Sequence, residues 1–389
     1  MTDPGLNDPD VNGTALRALL DRALADEPPI GPVAQNALLA GVRRRRRRRT
    51  SAIVAGAAIV AAVSVIVPAL ARAHRTTPAP VTPGGIPTVY VANGSFAGAG
   101  WVTPISTVTN TAGPPIRAGG DNASMAATPN GKTLYVVNEA SDVVIPISTA
   151  TNKAGPPIKV ARFPFAIVIT PDGKIAYVLS EGARLTPIMT ATNQAGTPIT
   201  IDPGPAGPDV AASPAITPDG KTLYVSPDVQ SDVLIPVDIA TGKAGKPIRL
   251  GGAAPTAIII TPDGRTAYVV NEAAQGTVTP IDVAANTPGP PIKVGKYPVD
   301  IAITPDSKTA YVVNGNSGTV TPISTATNTA GPPIKVGLSP YNVVITPDGA
   351  TAYVLNNGSG TVTPISTATN TAGPPIKVGG NVRAIVITP

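Results

Sequence analysis

The chain has few of the side chains on which enzymes and metal sites usually depend. It contains no cysteine among its 389 residues, and its only histidine is His74. Without cysteine the chain can form neither a disulfide nor a thiolate metal site. His74 lies ahead of the repeated segments described below, so those segments cannot supply a Ser-His-Asp or Cys-His mechanism or imidazole ligands for zinc. We therefore predict no catalytic residue, no metal and no cofactor.

Excess positive charge is also lacking over most of the chain. The net charge is +6, but from residue 84 onward 18 basic residues nearly balance 17 acidic ones. A nucleic-acid-binding domain would carry a basic patch on one face. The basic residues here are dispersed and aromatic residues make up only 3% of the chain. We therefore predict no nucleic-acid partner.

What the chain does have is a repeat, which a recurring tyrosine marks. The tyrosines are spaced by 45, 42, 47, 44, 43 and 42 residues, at Tyr90, Tyr135, Tyr177, Tyr224, Tyr268, Tyr311 and Tyr353. A period of about 40–45 residues is typical of the four-stranded blades of β-propellers. The sequence thus predicts an all-β fold, a seven-bladed β-propeller of four-stranded blades over residues 86–389.

Within each copy the pattern predicts four short strands. The first is apolar on both faces, as in 258–260, which is typical of a strand buried on both sides. Asp-Gly pairs at 172–173, 219–220, 263–264 and 348–349 indicate tight hairpins, so we assign these aspartates to turns rather than to catalysis. The fourth strand contains Pro-Pro, which indicates an outer edge because proline cannot donate to a ladder. The third strand also contains a proline, which we expect at a bulge or where the missing N–H would point away from the ladder.

The two ends of the repeat region are complementary. The first copy begins at Ile86 with its second strand, and the chain finishes with a first strand, 382–389. We predict that this C-terminal strand pairs beside residues 86–92 and closes the ring. Its loss would expose Ile385, Val386 and Ile387, which at about 25 cal/mol per Å² of buried apolar surface represents several kcal/mol.

The recurring Tyr-Val-x-Asn strand, Thr-Pro-Asp-Gly hairpin and Thr-Ala-Thr-Asn turn resemble the YVTN family of β-propeller repeats. The resemblance covers residues 86–389 and implies the propeller fold. It implies no particular activity, because proteins of that family share a scaffold and differ in what they bind. The third-strand proline and the Tyr-Val-Ser-Pro at 224–227 depart from the family pattern.

The residues before the propeller predict a membrane tether. Residues 1–49 contain two short helical patterns, at 14–26 and 33–42, and end in seven arginines. Residues 50–71 carry no charge and are long enough to cross a bilayer, and arginines just before such a segment indicate a cytoplasmic N-terminus. We expect a single-pass anchor, a Pro-rich stalk at 72–85 and an extracytoplasmic propeller, or a secreted protein if the chain is cleaved after Ala71.

Candidate binding residues lie where the loops over the central channel should meet. Two rings of equivalent first-strand positions follow from the repeat, and one of them should line the channel. Their members are Ala123, Phe165, Ala212, Thr256, Val299, Tyr341 and Arg383, and Ser124, Ala166, Ser213, Ala257, Asp300, Asn342 and Ala384. Asp300 and Arg383 are the ionisable members. A plain channel lining is the simpler interpretation of both rings.

Loops on the same face add an aromatic and an acidic group. Trp101, Phe163, Tyr297 and Tyr341 could form an aromatic lip, and the lone tryptophan is the best ligand anchor because such residues dominate binding energy. Loop carboxylates could form an acidic arc for a cation or a basic partner, or could simply be solvated loop tips. These carboxylates are Glu139, Asp142, Glu181, Asp228, Asp232 and Glu272.

These features favour a non-catalytic extracytoplasmic binding or scaffold propeller, tethered to the membrane, that holds an unknown protein or small-molecule ligand over the channel. The alternative is a carboxylate-dependent lyase or hydrolase at the channel mouth, which would need two carboxyl groups about 5–10 Å apart. A third possibility is a sensor that couples an outside ligand to the N-terminal helices.

Overall fold

A computed structural model describes residues 86–94, 100–201, 214–226, 232–251 and 254–389. The predicted cytoplasmic segment 1–49, anchor 50–71 and stalk 72–85 lie outside these residues, so they stay predictions. No helix among the described residues has the length and apolar character needed to span a bilayer.

The described chain consists of short antiparallel strands grouped in seven sheets. The first blade contains β1 (Thr88–Asn93), β2 (Trp101–Ser106), β3 (Thr111–Ala112) and β4 (Ile116–Arg117), and the second contains β5 (Asn122–Ala127), β6 (Thr133–Asn138), β7 (Val143–Ser148), β8 (Lys153–Ala154) and β9 (Ile158–Lys159). The third blade contains β10 (Pro164–Ile169), β11 (Ile175–Ser180), β12 (Arg184–Met189), β13 (Gln194–Ala195) and β14 (Ile199–Thr200). The fourth contains β15 (Ala215–Ile216), β16 (Thr222–Val225), β17 (Val233–Asp238) and β18 (Ile248–Arg249).

The last three blades and the terminal strand follow the same order. The fifth blade contains β19 (Ala254–Ile260), β20 (Thr266–Glu272), β21 (Thr277–Asp282), β22 (Thr287–Pro288) and β23 (Ile292–Lys293), and the sixth contains β24 (Pro298–Ile303), β25 (Thr309–Asn314), β26 (Thr319–Ser324), β27 (Thr329–Ala330) and β28 (Ile334–Lys335). The seventh blade contains β29 (Pro340–Ile345), β30 (Thr351–Asn356), β31 (Thr361–Ser366), β32 (Thr371–Ala372) and β33 (Ile376–Lys377). The terminal strand is β34 (Val382–Ile387).

The innermost strands form a closed circle. In the order β34, β5, β10, β15, β19, β24 and β29, each contacts the next, and β29 contacts β34 again. Seven apolar clusters fill the spaces between neighbouring sheets; one, for example, joins Val136 of the second blade to Ala92 of the first. The prediction of an all-β, seven-bladed propeller is confirmed.

The C-terminal strand completes the first blade, as predicted. β34 pairs antiparallel with β1, with Val91 opposite Ile385 and Val89 opposite Ile387. The Thr388 backbone N–H donates to the Thr88 carbonyl at 3.0 Å, and the Thr88 N–H donates to the Thr388 hydroxyl at 3.0 Å. Ile385 is buried in the cluster between the first and seventh blades. The ends of the repeat region are therefore held by both a ladder and a core.

The outer strand of a blade differs from the single fourth strand that the sequence predicts. In six blades it consists of two short strands that both pair with the third strand. A Gly-Pro-Pro segment lies between them in five of these blades, and Gly-Thr-Pro (196–198) lies between them in the third blade. In the first blade the break lies opposite Pro104, whose carbonyl accepts a hydrogen bond from the Gly113 N–H at 2.7 Å. The third-strand proline thus faces a bulge, one of the two expected placements, and the missing N–H interrupts no regular ladder.

The hairpin aspartates serve turns, as predicted. The Thr170 hydroxyl donates to Asp172 Oδ1 at 2.7 Å, and the Lys174 N–H donates to the same oxygen at 3.0 Å. The hydrogen bond from the Thr170 hydroxyl is the main cause that lowers the pKa of Asp172. The equivalent threonine in each hairpin is likewise the main cause that lowers the pKa of Asp263, Asp306 and Asp348. A lowered pKa means that this stabilisation is present above the ordinary carboxyl range and is lost as the pH falls through it.

A tyrosine-asparagine hydrogen bond joins neighbouring blades at six of the seven junctions. The repeat tyrosine of each blade donates its hydroxyl proton to an asparagine Oδ1 in the turn after the third strand of the next blade. The pairs are Tyr90–Asn152, Tyr135–Asn193, Tyr224–Asn286, Tyr268–Asn328, Tyr311–Asn370 and Tyr353–Asn110, at 2.6–2.9 Å. The Tyr353–Asn110 bond joins the seventh blade to the first and so completes the set around the ring.

The seventh junction is an internal control. The turn that faces Tyr177 has Gly242 in the asparagine position, with φ +68°, and glycine offers no side-chain acceptor. The six asparagines have φ between 52° and 57°, a left-handed conformation that asparagine tolerates better than most residues. The asparagine therefore serves both the turn and the contact between blades.

We predict that Tyr268→Phe lowers the free energy of unfolding by about 1 kcal/mol, because it removes one net hydrogen bond between blades. Tyr177→Phe should change it far less, because Tyr177 faces Gly242. Urea denaturation of the two variants beside the wild type is the measurement. Equal losses in both variants would show that the hydroxyl does not act through the asparagine.

Candidate functional site

One face of the ring, here the loop face, carries the loops from second to third strands and from each outer strand to the next inner strand. Trp101 begins β2 on this face, and Phe163 and Tyr297 immediately precede the inner strands β10 and β24. Phe165, Asp300, Tyr341 and Arg383 lie near the starts of the inner strands β10, β24, β29 and β34. These candidate residues therefore lie on the same face of the ring, although they do not line the same cleft.

A cleft of about 330 Å³ lies on the loop face where the first and seventh blades meet. We call it the seam cleft. It is lined by Asn93, Gly94, Trp101, Thr103, Pro115, Val378, Gly380 and Asn381. Trp101 is 40% exposed there. None of these lining side chains is charged, so the described wall of the cleft offers an aromatic surface and neutral polar groups.

Trp101 departs from the repeat. The other third strands begin with small, aliphatic or basic residues, namely Val143, Arg184, Val233, Thr277, Thr319 and Thr361. The Trp101 backbone is fixed by its pairing with Asn93 on one side and Arg117 on the other. The strand that carries Trp101 is thus paired like the other third strands, and the indole ring is a local addition rather than a requirement of the fold.

Asn93 joins the two blades that form the seam cleft. Its Nδ2 donates to the Gly380 carbonyl at 2.9 Å and to the Val378 carbonyl at 3.3 Å. These two carbonyls belong to the loop that leads into β34, so the bonds connect residues almost 290 positions apart in sequence. The cleft wall is therefore assembled by ring closure.

A buried ion pair lies behind the seam cleft. Asp121 is only 1% exposed, and its Oδ1 lies 3.6 Å from a terminal guanidinium nitrogen of Arg383, whose side chain is 32% exposed. In the part of the chain that the structure describes, neither Asp121 oxygen accepts a hydrogen bond. A Cβ added at Gly94 would lie 3.2 Å from both Asp121 Oδ1 and Arg383 Cγ, so Gly94 separates the cleft from the pair at close quarters.

Sequence reasoning selected Arg383 but missed Asp121. Asp121 occupies the position just before an inner strand, the position that Phe163 and Tyr297 hold in other blades. A comparison of equivalent positions would have shown a carboxylate where two other copies carry an aromatic residue. It could not have shown that this carboxylate is buried against Arg383, because the two residues belong to opposite ends of the propeller sequence.

Asp300 forms a second polar contact between inner strands. Its Oδ2 accepts hydrogen bonds from the Val343 N–H at 2.9 Å and from Asn342 Nδ2 at 3.2 Å, which joins the sixth blade to the seventh. Burial is the main cause that raises the pKa of Asp300 to about 6, and the two hydrogen bonds act in the opposite direction. In the same ring of positions, Ala166, Ala257 and Ala384 are buried in clusters between blades. These three alanines therefore contribute to packing between blades.

One member of the proposed aromatic lip, Trp101, lines the seam cleft. Phe163, Tyr297 and Tyr341 are not part of its lining. Phe163 and Tyr297 have φ of 51° and 49°, a left-handed conformation that is uncommon for bulky residues. Tyr341 lies within β29 and is 42% exposed. The lip as a single surface stays a prediction.

The carboxylates of the proposed acidic arc have separate local contacts. Asp142 Oδ1 accepts a hydrogen bond from the Phe163 N–H at 2.7 Å, and Asp232 lies 3.6 Å from Arg249. Glu139 and Glu181 follow β6 and β11, Glu272 ends β20, and Asp228 lies outside the described residues. Among the residues that the structure describes, no three acidic side chains are grouped so as to hold a metal.

Several solved structures share the fold. Hydrazine synthase from Kuenenia stuttgartiensis is 25% identical with a TM-score of 0.61, over 69% of this chain and 90% of that one. A protein of unknown function from Desulfotomaculum acetoxidans is 18% identical with a TM-score of 0.63, over 77% and 98%. A candidate 6-phosphogluconolactonase from Bacteroides fragilis is 19% identical with a TM-score of 0.63, over 78% and 98%. These similarities support the propeller and leave the choice between binding and catalysis open.

No protein-family model matches the chain, and no curated protein matches it. Membership of the YVTN family therefore stays a prediction that rests on the repeat motifs.

We predict that Asp300 makes stability depend on pH in a direction opposite to that of the turn aspartates. A pKa of about 6 in the folded state, against an ordinary 3.8, means that folding favours the protonated carboxyl. Its contribution is complete below about pH 4 and is lost as the pH rises through 6. The wild type therefore loses stability between about pH 4 and 6, whereas Asp300→Asn has no charge to bury. The free energy of unfolding of Asp300→Asn minus that of the wild type should rise over this pH interval by on the order of 2 kcal/mol.

Asp172→Asn is the matched variant for this measurement. Because the pKa of Asp172 is lowered, its relative stability should fall as the pH rises through the ordinary carboxyl range. Chemical denaturation at a series of pH values gives both curves. A constant difference between Asp300→Asn and wild type from pH 4 to 7 would contradict the proposed burial of the charge.

Proposed function

We propose that this protein is a non-catalytic binding or scaffold propeller that holds its ligand or partner on the loop face, at the seam cleft. The observation that carries the proposal is the single tryptophan of the chain, 40% exposed in a cleft whose described lining is neutral. Tryptophan combines a large apolar face with one N–H donor, and it is enriched where proteins bind partners.

The surroundings of Trp101 support recognition because they are already organised. Strand pairing on both sides fixes its backbone, and Asn93 ties the first blade to the seventh across the cleft. A preformed site loses little conformational entropy when a ligand binds, so even a small cleft can contribute useful affinity. The cleft volume of about 330 Å³ is at the lower end of the range for ligand pockets, about 300–1,000 Å³.

The proposal also covers the setting of the propeller. The seven arginines followed by 22 uncharged residues support a membrane tether at 50–71 with the propeller outside the cytoplasm. The repeat motifs support membership of the YVTN family. The Pro-rich stalk at 72–85 belongs to the same proposal, as a semi-rigid spacer.

A carboxylate-dependent lyase or hydrolase at the channel mouth is the second candidate function. Asp300 favours it, because a carboxyl group whose pKa is near 6 is suited to proton transfer close to neutral pH. Turnover of glycoside or lactone substrates by the wild type, lost in Asp300→Asn, would support this candidate. Equal turnover by both proteins would exclude Asp300 as its catalytic group.

We predict that the immobilised full-length chain retains a component of cell-surface extracts through Trp101. Trp101→Ala should abolish this retention, because it removes the apolar face of the cleft. Met189→Ala is the control, since Met189 is similarly exposed, at 46%, and lies at the far end of the third strand of another blade.

The retained fractions are compared by mass spectrometry, and circular dichroism checks that both variants fold. Equal retention by wild type, Trp101→Ala and Met189→Ala would contradict binding at the seam cleft.

A further inference from the structure

The polar groups of the seam cleft define what kind of ligand it can satisfy. Three lining groups are available: the Asn381 amide, the Thr103 hydroxyl and the Trp101 indole N–H. In the described part of the chain, none of these side-chain groups takes part in a hydrogen bond within the protein. Together they offer both donors and acceptors, all of them neutral. A ligand that fits must therefore also donate and accept.

The absence of charged side chains in the described lining limits the kinds of ligand that the cleft can bind. A ligand with a carboxylate, phosphate or ammonium group would lose hydration without gaining an opposite charge from the described lining, because Arg117, which pairs with Trp101 across the strands, is not part of that lining. Arg383 lies nearby but is engaged with Asp121 behind Gly94. The cleft therefore favours a ligand with no net charge.

The aromatic wall requires an apolar face on the same ligand. Trp101 presents its indole at one side, and Pro115 and Val378 add apolar surface. A sugar ring has this combination, because its C–H groups form an apolar face and its hydroxyl groups, which both donate and accept, lie around the edge. On this basis we propose that the seam cleft binds a neutral sugar unit, such as the end of an uncharged glycan. This inference rests on the proposed function.

A proline-rich peptide is the main competing ligand, and the cleft suits it less well. Proline-rich peptides dock in grooves lined by several aromatic residues, whereas the described lining here contains one. Such peptides also present mainly carbonyl acceptors, because proline has no N–H. They would leave the acceptor oxygens of Asn381 and Thr103 without donors.

The experiment uses the full-length chain in a detergent whose head group is not a sugar. The labelled protein is first applied to an array of neutral, sialylated and sulfated glycans. Bound glycans are then titrated in solution while the fluorescence of Trp101 is followed. Because the chain contains one tryptophan, a saturable change reports on this cleft alone.

We expect binding to neutral glycans only, with a saturable shift of the Trp101 emission. Asn381→Gly should weaken the affinity about five- to tenfold, which corresponds to about one net hydrogen bond, because glycine removes the amide and keeps the φ of 54° that Asn381 has. Calorimetry on Trp101→Ala should detect no binding, and Met189→Ala should bind like the wild type. Circular dichroism confirms that each variant is folded.

The outcomes separate the two proposals. If no neutral glycan changes the Trp101 emission but a proline-rich peptide or a charged ligand does, the sugar inference is overturned and binding at the cleft stands. If neutral glycans bind equally well to Trp101→Ala, they bind elsewhere and the inference is also overturned. If no glycan binds and surface extracts are retained equally by Trp101→Ala and wild type, both proposals fail.

Discussion

Pairing between the two ends of the propeller sequence is the constraint on which the rest of the structure depends. β34 supplies the innermost strand of the blade that β1 begins, and it contacts the inner strands of both neighbouring blades. Without it the first blade would lack its inner strand, and the apolar cluster with the seventh blade would be open to water. The seam cleft depends on the same pairing, because Asn93 reaches Gly380 only when the ring is closed.

The contacts between blades combine apolar packing with a few specific polar bonds. Clusters of Val, Ile and Tyr fill each junction, and Tyr-Asn bonds set the position of one blade against the next. Asp300 and the Asp121–Arg383 pair are individual additions on the inner strands and at the start of one of them. Buried charges of this kind are costly unless paired, so they define geometry more than they add stability. Strand pairing on both sides fixes the backbone where Trp101 meets solvent.

The repeat made most of the fold predictable from sequence. The tyrosine spacing gave the blade number, Asp-Gly pairs gave the hairpins, and the incomplete first and last copies gave the closure through 382–389. The Tyr268–Asn328 type of bond was not predicted, because its partners lie about 60 residues apart in different blades. The seam cleft and the burial of Asp121 were missed for the same reason: both depend on tertiary neighbours that no local pattern encodes. Trp101 was selected because it is the single tryptophan of the chain and lies at a loop position, and that signal is local.

Closure is tested most directly by a disulfide between the terminal strands, since the chain has no cysteine of its own. Ala92 and Ala384 are directly opposite each other, so Ala92→Cys with Ala384→Cys should cross-link readily on mild oxidation. Ala92→Cys with Ile385→Cys is the control, because adjacent side chains point to opposite faces of a sheet. Peptide mapping by mass spectrometry should find the 92–384 cross-link in the folded protein and no 92–385 cross-link. Absence of the 92–384 bond, or equal cross-linking of both pairs, would contradict a ring closed by the C-terminal strand.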